Sequence, residues 1–213
     1  MSGSIAWAAS AGVFASVLPA AMMRVRVPGI VQVEGSSGWT PVVLPVQLWI
    51  GLAATVGLPL GLRFAHSAAL PAYLVFAAYA APLAAIDLAS MRIPDWILGP
   101  SAALATVCFA IASVSGGGAG SITRALLAAL AVGSGFFALA LVAGGGFGLG
   151  DCKLLAFIAL LSGYQSWNTV ARALFAGFAI AALAGLTARR VRGCRHVPLA
   201  PWLIAGAVIA LVI

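Results

Sequence analysis

The sequence predicts an all-α, polytopic integral membrane protein with about eight transmembrane helices, in a range of six to eight. Three observations carry that expectation. Hydrophobic residues make up 63% of the 213 positions and charged ones only 7%, against roughly 25% charged in an average soluble domain. Long stretches hold no charged residue, and each is near the ~20 residues that an α-helix needs to cross the hydrocarbon core. The same stretches are apolar on every face, whereas a membrane β-barrel needs alternating apolar and polar positions.

Along the chain, the first such stretch is 5–23. No basic segment precedes it, and Arg24 and Arg26 follow it, so it reads as a spanning helix with its N-terminus outside rather than as a cleaved signal peptide. The loop 24–44 is rich in Gly, Ser, Pro and Val and holds the only glutamate, Glu34. A shorter apolar stretch at 45–62 leads to clear ones at 68–86 and 96–114. "SVSGGGAGS" (113–121) is an expected extracytoplasmic turn. The stretch 125–150 follows, and shorter ones at 154–163, 173–188 and 198–213 complete the expected set.

The net charge of +7 is explained by topology. With the N-terminus outside, Arg24, Arg26, Arg92, Lys153, Arg189, Arg190, Arg192 and Arg195 fall on the cytoplasmic side. Only Arg63, Arg124 and Arg172 fall outside. Positive residues collect at the cytoplasmic face of membrane proteins, so membrane lipid is the expected partner of this charge and no nucleic acid is expected. The three cysteines form no C-x-x-C pair, which argues against structural zinc or a disulfide framework. His66 and His196 stand alone, and neither a metal nor a cofactor is expected.

Acidic residues are scarce: Glu34, Asp87, Asp95 and Asp151. Asp87 ends one apolar run and Asp151 another. Two crossings fit between them and return the chain to its starting side, so both aspartates are expected at the cytoplasmic surface. Ionisable groups at the edge of a spanning helix are costly and read as functional by default. Each also has a structural reading: Asp95 as N-cap of the next helix, Asp87 as partner of Arg92, Asp151 as cap of a helix beginning at Cys152. Together, Asp87 and Asp151 favour a carboxylate pair. Two close carboxylates cannot both ionise, so one serves as general base on a water and the other as general acid. Peptide hydrolysis follows from that chemistry. The glycines Gly144, Gly145, Gly146, Gly148 and Gly150 either free the backbone beside Asp151 or serve close helix packing. Lys153, about 200° around a helix from Asp151, is expected to point away as an interface anchor, with an influence on the aspartate as the alternative.

These residues resemble a family. "GLGD" at 148–151 is similar to the G-x-G-D motif of intramembrane aspartyl proteases, and "GLGDCKLLAFIALLSG" to the type IV prepilin peptidase branch. "IDLASMRIPDW", with Asp87 and Pro94, resembles that branch's partner element. "HVPLAPWL" at 196–203, with Pro198 and Pro201, resembles its proline string opening the last helix. The resemblance implies that Asp87 and Asp151 are catalytic, with Gly148, Gly150, Pro94, Lys153, Pro198 and Pro201 binding substrate or shaping the site. It implies removal of the short basic leader from type IV prepilins or pseudopilins in a bacterial or archaeal cytoplasmic membrane. Residues 67–213 are then the protease core and 1–66 an N-terminal part. Bifunctional relatives carry paired cysteines in the first cytosolic loop; 24–44 has none, so peptidase without methyltransferase activity is expected. Two other readings stay open. One is a presenilin or signal-peptide-peptidase type protease, although Ile86 rather than tyrosine precedes Asp87. The other is a small transporter or channel with the aspartates as ion ligands.

Overall fold

The computed structural model describes residues 46–91, 93–142, 148–192 and 198–213. No strand occurs among them. The seven α-helices are α1 (Val46–Arg63), α2 (Leu70–Ser90), α3 (Asp95–Ala112), α4 (Ala119–Val142), α5 (Leu149–Gln165), α6 (Trp167–Arg192) and α7 (Ala200–Val212). Leu70–Leu88, Asp95–Gly116, Ala119–Val142 and Trp167–Ala188 are long and apolar enough to cross a membrane, and Ala200–Val212 is a shorter apolar helix. α4 exposes Leu126, Leu127, Leu130, Leu139 and Leu141, a wall suited to lipid rather than water. The chain is an all-α, multi-pass membrane protein. The expected figure of about eight spans is not reached among the described residues, and the first expected span, 5–23, lies outside them with the loop 24–44.

Two compact units divide the chain, Met1–Gly116 and Gly117–Ile213. In the first, α1, α2 and α3 pack around an aromatic cluster. The ring of Phe64 stacks on Tyr73 at 3.9 Å between centroids, and Tyr73 meets Phe109 edge-on at 5.4 Å. Leu60, Tyr73, Phe76 and Phe109 are fully buried; each such aromatic pair adds about 0.5–1.5 kcal/mol beyond area burial. α2 opens with Pro71 in its first turn, where the missing N–H costs nothing. It stops at Met91, held left-handed at φ 50, ψ 33, with its N–H donating to the carbonyl of Asp87. α3 then starts from an extended Pro94 (φ −75, ψ 128). Its far end breaks at Gly116, whose φ of 120 suits glycine alone.

The second unit is a bundle of α4 to α7 joined by close, small-residue contacts. α4 and α5 run antiparallel: a Cβ on Gly133 would stand 3.0 Å from that of Ala156, and one on Gly163 would stand 2.7 Å from that of Ala128. α6 and α7 meet at Gly177 and Gly206, where any Cβ on Gly206 would collide with the Gly177 backbone. Ala128, Ala159 and Val170 join α4, α5 and α6 in one apolar cluster.

The limits of three helices differ from hydropathy. The run 125–150 was expected to mark one span, yet α4 begins at Ala119 and carries Arg124 inside it. The guanidinium is not a helix stop because it is satisfied: Nε donates to the Gly163 carbonyl at 2.8 Å, and Nη2 to those of Tyr164 at 2.6 Å and Gln165 at 2.8 Å. The runs 154–163 and 173–188 lengthen into α5 and α6, parted only by Ser166. Ser166 is extended, at φ −169 and ψ 163, and its Oγ accepts the Thr169 N–H at 3.1 Å, the bond expected of a serine N-cap.

Candidate functional site

Asp87 lies in the last turn of α2. Only 4% of it is exposed, and its backbone carbonyl accepts the Met91 N–H at 2.8 Å. A carboxylate buried this far in an apolar helix carries a large desolvation cost unless the surroundings answer it. Ile86 precedes it in the same turn, and Pro94 follows after the left-handed break, half-buried and serving as N-cap of α3. Asp95 is not the N-cap expected of it. It stands one residue further on, exposed in the first helical turn, because Pro94 already supplies the extended backbone that a cap needs. There a carboxylate still interacts favourably with the helix N-terminus. Arg92, the alternative partner of Asp87, lies outside the described residues.

Asp151 lies in the first turn of α5. The helix begins at Leu149, three residues earlier than the cap reading assumed, and Gly148 is its N-cap at φ −70, ψ 134. Asp151 is therefore at the third helical position, from which an acid side chain reaches back toward the cap residue. It does so here: a Cβ on Gly148 would stand 3.0 Å from Asp151 Oδ2 and 3.7 Å from its Cγ. The Asp151 N–H in turn donates to the Gly148 carbonyl at 3.1 Å, and that of Cys152 to the same oxygen at 3.3 Å. The first glycine of G-x-G-D thus does a specific job, leaving open the space over which the carboxylate lies. Gly150 is half-buried in the same turn. Gly144, Gly145 and Gly146 lie outside the described residues.

Lys153 is exposed and lines an apolar groove of about 390 Å³ between α4 and α5, with Gly133, Ser134 and Phe137 opposite Leu149, Cys152 and Ala156. Asp151 is absent from that lining, so the two side chains occupy different faces of α5, as the helical angle between them requires. Sequence reasoning missed the α4 wall of this groove. Its signal was the small-residue stretch Gly133–Gly135 directly ahead of Phe136 and Phe137. Pro198 precedes α7 and Pro201 sits in its first turn, both half-buried, with Leu199 as N-cap. Within the second unit Gly148, Gly150 and Asp151 share the start of α5, and Lys153 follows on another face of it. Asp87 and Pro94 flank the α2–α3 break of the first unit. Among the described residues no His, Cys, Asp and Glu side chains group as metal ligands.

The model of the type IV leader peptidase family matches residues 74–187, more than half of the chain. The chain belongs to the type IV leader peptidase family. It is a peptidase of that kind, embedded in a membrane by several helices. The region matched to the family holds Asp87, Pro94, Gly148, Gly150, Asp151 and Lys153, while Pro198 and Pro201 lie beyond it. No curated protein and no solved structure matches the chain.

Proposed function

We propose that the protein is an aspartyl endopeptidase that removes the short basic leader from type IV prepilins or pilin-like proteins. The reading places the cut at the cytoplasmic face of a bacterial or archaeal inner membrane, with Asp87 and Asp151 as the catalytic pair and residues 67–213 as the protease core. The observation that carries it is the fit of Asp151 Oδ2 over the bare Cα of Gly148. It gives the first glycine of a G-x-G-D sequence a chemical reason in a chain of this family. The rarity of acids supports the choice of partner: among the three described aspartates Asp87 alone is buried, and it stands in the stretch that resembles the family's second element.

The chemistry needs one carboxylate ionised and one protonated. The ionised one takes a proton from a water held between the pair, and the water oxygen attacks the scissile carbonyl carbon. The protonated one stabilises the developing oxyanion and then gives its proton to the leaving nitrogen as the C–N bond breaks. The products are a free leader carboxylate and a new pilin N-terminus. Pro94, Gly150, Lys153, Pro198 and Pro201 border this chemistry as site-shaping or substrate-binding positions. With no cysteine in the loop 24–44, the reaction ends at hydrolysis and the new N-terminus is not methylated.

Co-expression with a pilin-like precursor from the same genome tests the proposal, with products identified by intact mass. Wild type should release the leader, and Asp87→Asn and Asp151→Asn should each leave the precursor whole at equal membrane abundance. Leader removal persisting in both variants, in a host lacking other prepilin peptidases, sinks the mechanism.

A further inference from the structure

We propose that Arg124 is a positioning residue for Asp151, setting the axial height of α5 from the end opposite the carboxylate. The proposal rests on the reading of Asp151 as half of the catalytic pair. A helix leaves its last four carbonyls without intrahelical donors, and in a membrane each unsatisfied one costs several kcal/mol. All four at the end of α5 are accounted for. The carbonyl of Ser162 accepts the Ser166 N–H at 3.2 Å. Those of Gly163, Tyr164 and Gln165 accept from the Arg124 guanidinium at 2.8, 2.6 and 2.8 Å. These bonds carry the donor's full charge, and a cation at a helix C-terminus also suits the helix dipole.

Three further observations turn a cap into a register device. The α4–α5 seam beside it is close but low in relief: Gly163 faces Ala128 and Ala125, and Gly133 faces Ala156. Methyl groups against glycines interlock weakly along the axis at these contacts, so the directional bonds of Arg124 add the axial hold that this seam lacks, beside the buried Leu154, Leu155, Ile158 and Leu161 on the rest of α5. The same end of α5 is tied to α7 by Gln165, whose Nε2 donates to the Leu211 carbonyl at 3.2 Å. The other end begins at Gly148, a glycine with no side chain of its own to anchor the helix start to a neighbour. Twelve residues of rigid helix link Gly163 to Asp151, about 18 Å at 1.5 Å per residue. Each residue of slip at the arginine would therefore move the carboxylate by about 1.5 Å.

Cys152 reports on that movement without any assay of proteolysis. It is 3% exposed, and its thiol donates to the Gly148 carbonyl at 3.5 Å. Full-length protein carrying Cys108→Ser and Cys194→Ser leaves it as the sole thiol. Its alkylation by N-ethylmaleimide in detergent is then timed with Arg124, Arg124→Lys and Arg124→Gln, beside kcat and KM for a pilin-like precursor. The Gln variant should alkylate severalfold faster and lose kcat by on the order of tenfold to a hundredfold with KM little changed, because a misplaced group costs rate rather than binding. The Lys variant, with charge but no planar fork, should fall between, and it carries the test should Arg124→Gln fail to fold. Lowered thermal stability with thiol reactivity and kcat both at wild-type values would make Arg124 a local cap and overturn the proposal. Faster alkylation with kcat at the wild-type value would uphold the movement of α5 and remove only the reading of Asp151 as half of the catalytic pair.

Discussion

Gly148 and Asp151 compete for one space: a methyl group on Gly148 would stand 3.0 Å from Asp151 Oδ2. Two backbone bonds to the Gly148 carbonyl, from the N–H groups of Asp151 and Cys152, hold the turn in which they meet. The carboxylate thus lies in space that a side chain on Gly148 would occupy.

Gly148→Ala should therefore impair cleavage with the fold intact. The φ of −70 suits alanine, so no backbone strain follows, and the change falls on the carboxylate. Turning a side chain ~30° from its rotamer costs about 0.5–1.5 kcal/mol, which is as much as about tenfold in rate. Single-turnover cleavage and circular dichroism measure both halves. An unchanged rate would mean that Asp151 does its work in another orientation.

Among the small-residue contacts, Gly206→Ala should cost the most. Its new methyl would meet the backbone of Gly177, which has no rotamer to yield, and overpacking of this kind costs about 1–3 kcal/mol. Gly135→Ala has nothing within 4 Å of the added Cβ and should hold or raise stability, since alanine favours helix over glycine by ~1 kcal/mol. Thermal unfolding in a mild detergent compares the pair, and equal midpoints would contradict the packing.

Asp95 provides the contrast for Asp87. It is exposed in the first turn of α3, so Asp95→Asn should remove only its interaction with the helix N-terminus, about 0.3–1 kcal/mol. Cleavage by this variant should stay within a factor of about three of wild type, while Asp87→Asn loses it. Comparable losses in the two would shift the catalytic assignment.

Because the loop 24–44 lacks cysteine, a strong chelator should leave cleavage unchanged. The product should leave the enzyme with a free, unmethylated N-terminus even when a methyl donor is supplied. Product mass read with and without S-adenosylmethionine settles the point, and a methylated product would contradict it.

Much of this molecule was legible in its residues. Hydropathy placed apolar spans over α2, α3, α4 and α6 because transfer into lipid adds up residue by residue along a helix. The G-x-G-D sequence singled out Asp151, and its scarcity among apolar neighbours singled out Asp87. Helix ends were read less well. Asp95 was expected to cap α3 and stands inside it, the alternative reading of Asp151 as a cap meets a helix that starts earlier, at Leu149, and α4 begins five residues ahead of Arg124 rather than after it. A helix end depends on which groups satisfy its last donors and acceptors, and hydropathy does not record partners.

The sequence by itself determined an all-helical membrane protein with two acids of unusual placement, since composition and local pattern suffice for both. Only the tertiary structure decided where the Asp151 carboxylate turns and what holds α5 beneath it. The first is a matter of the empty space above Gly148. The second needs Arg124 to meet carbonyls 39 to 41 residues away in the chain, a contact made by folding and invisible to any local reading.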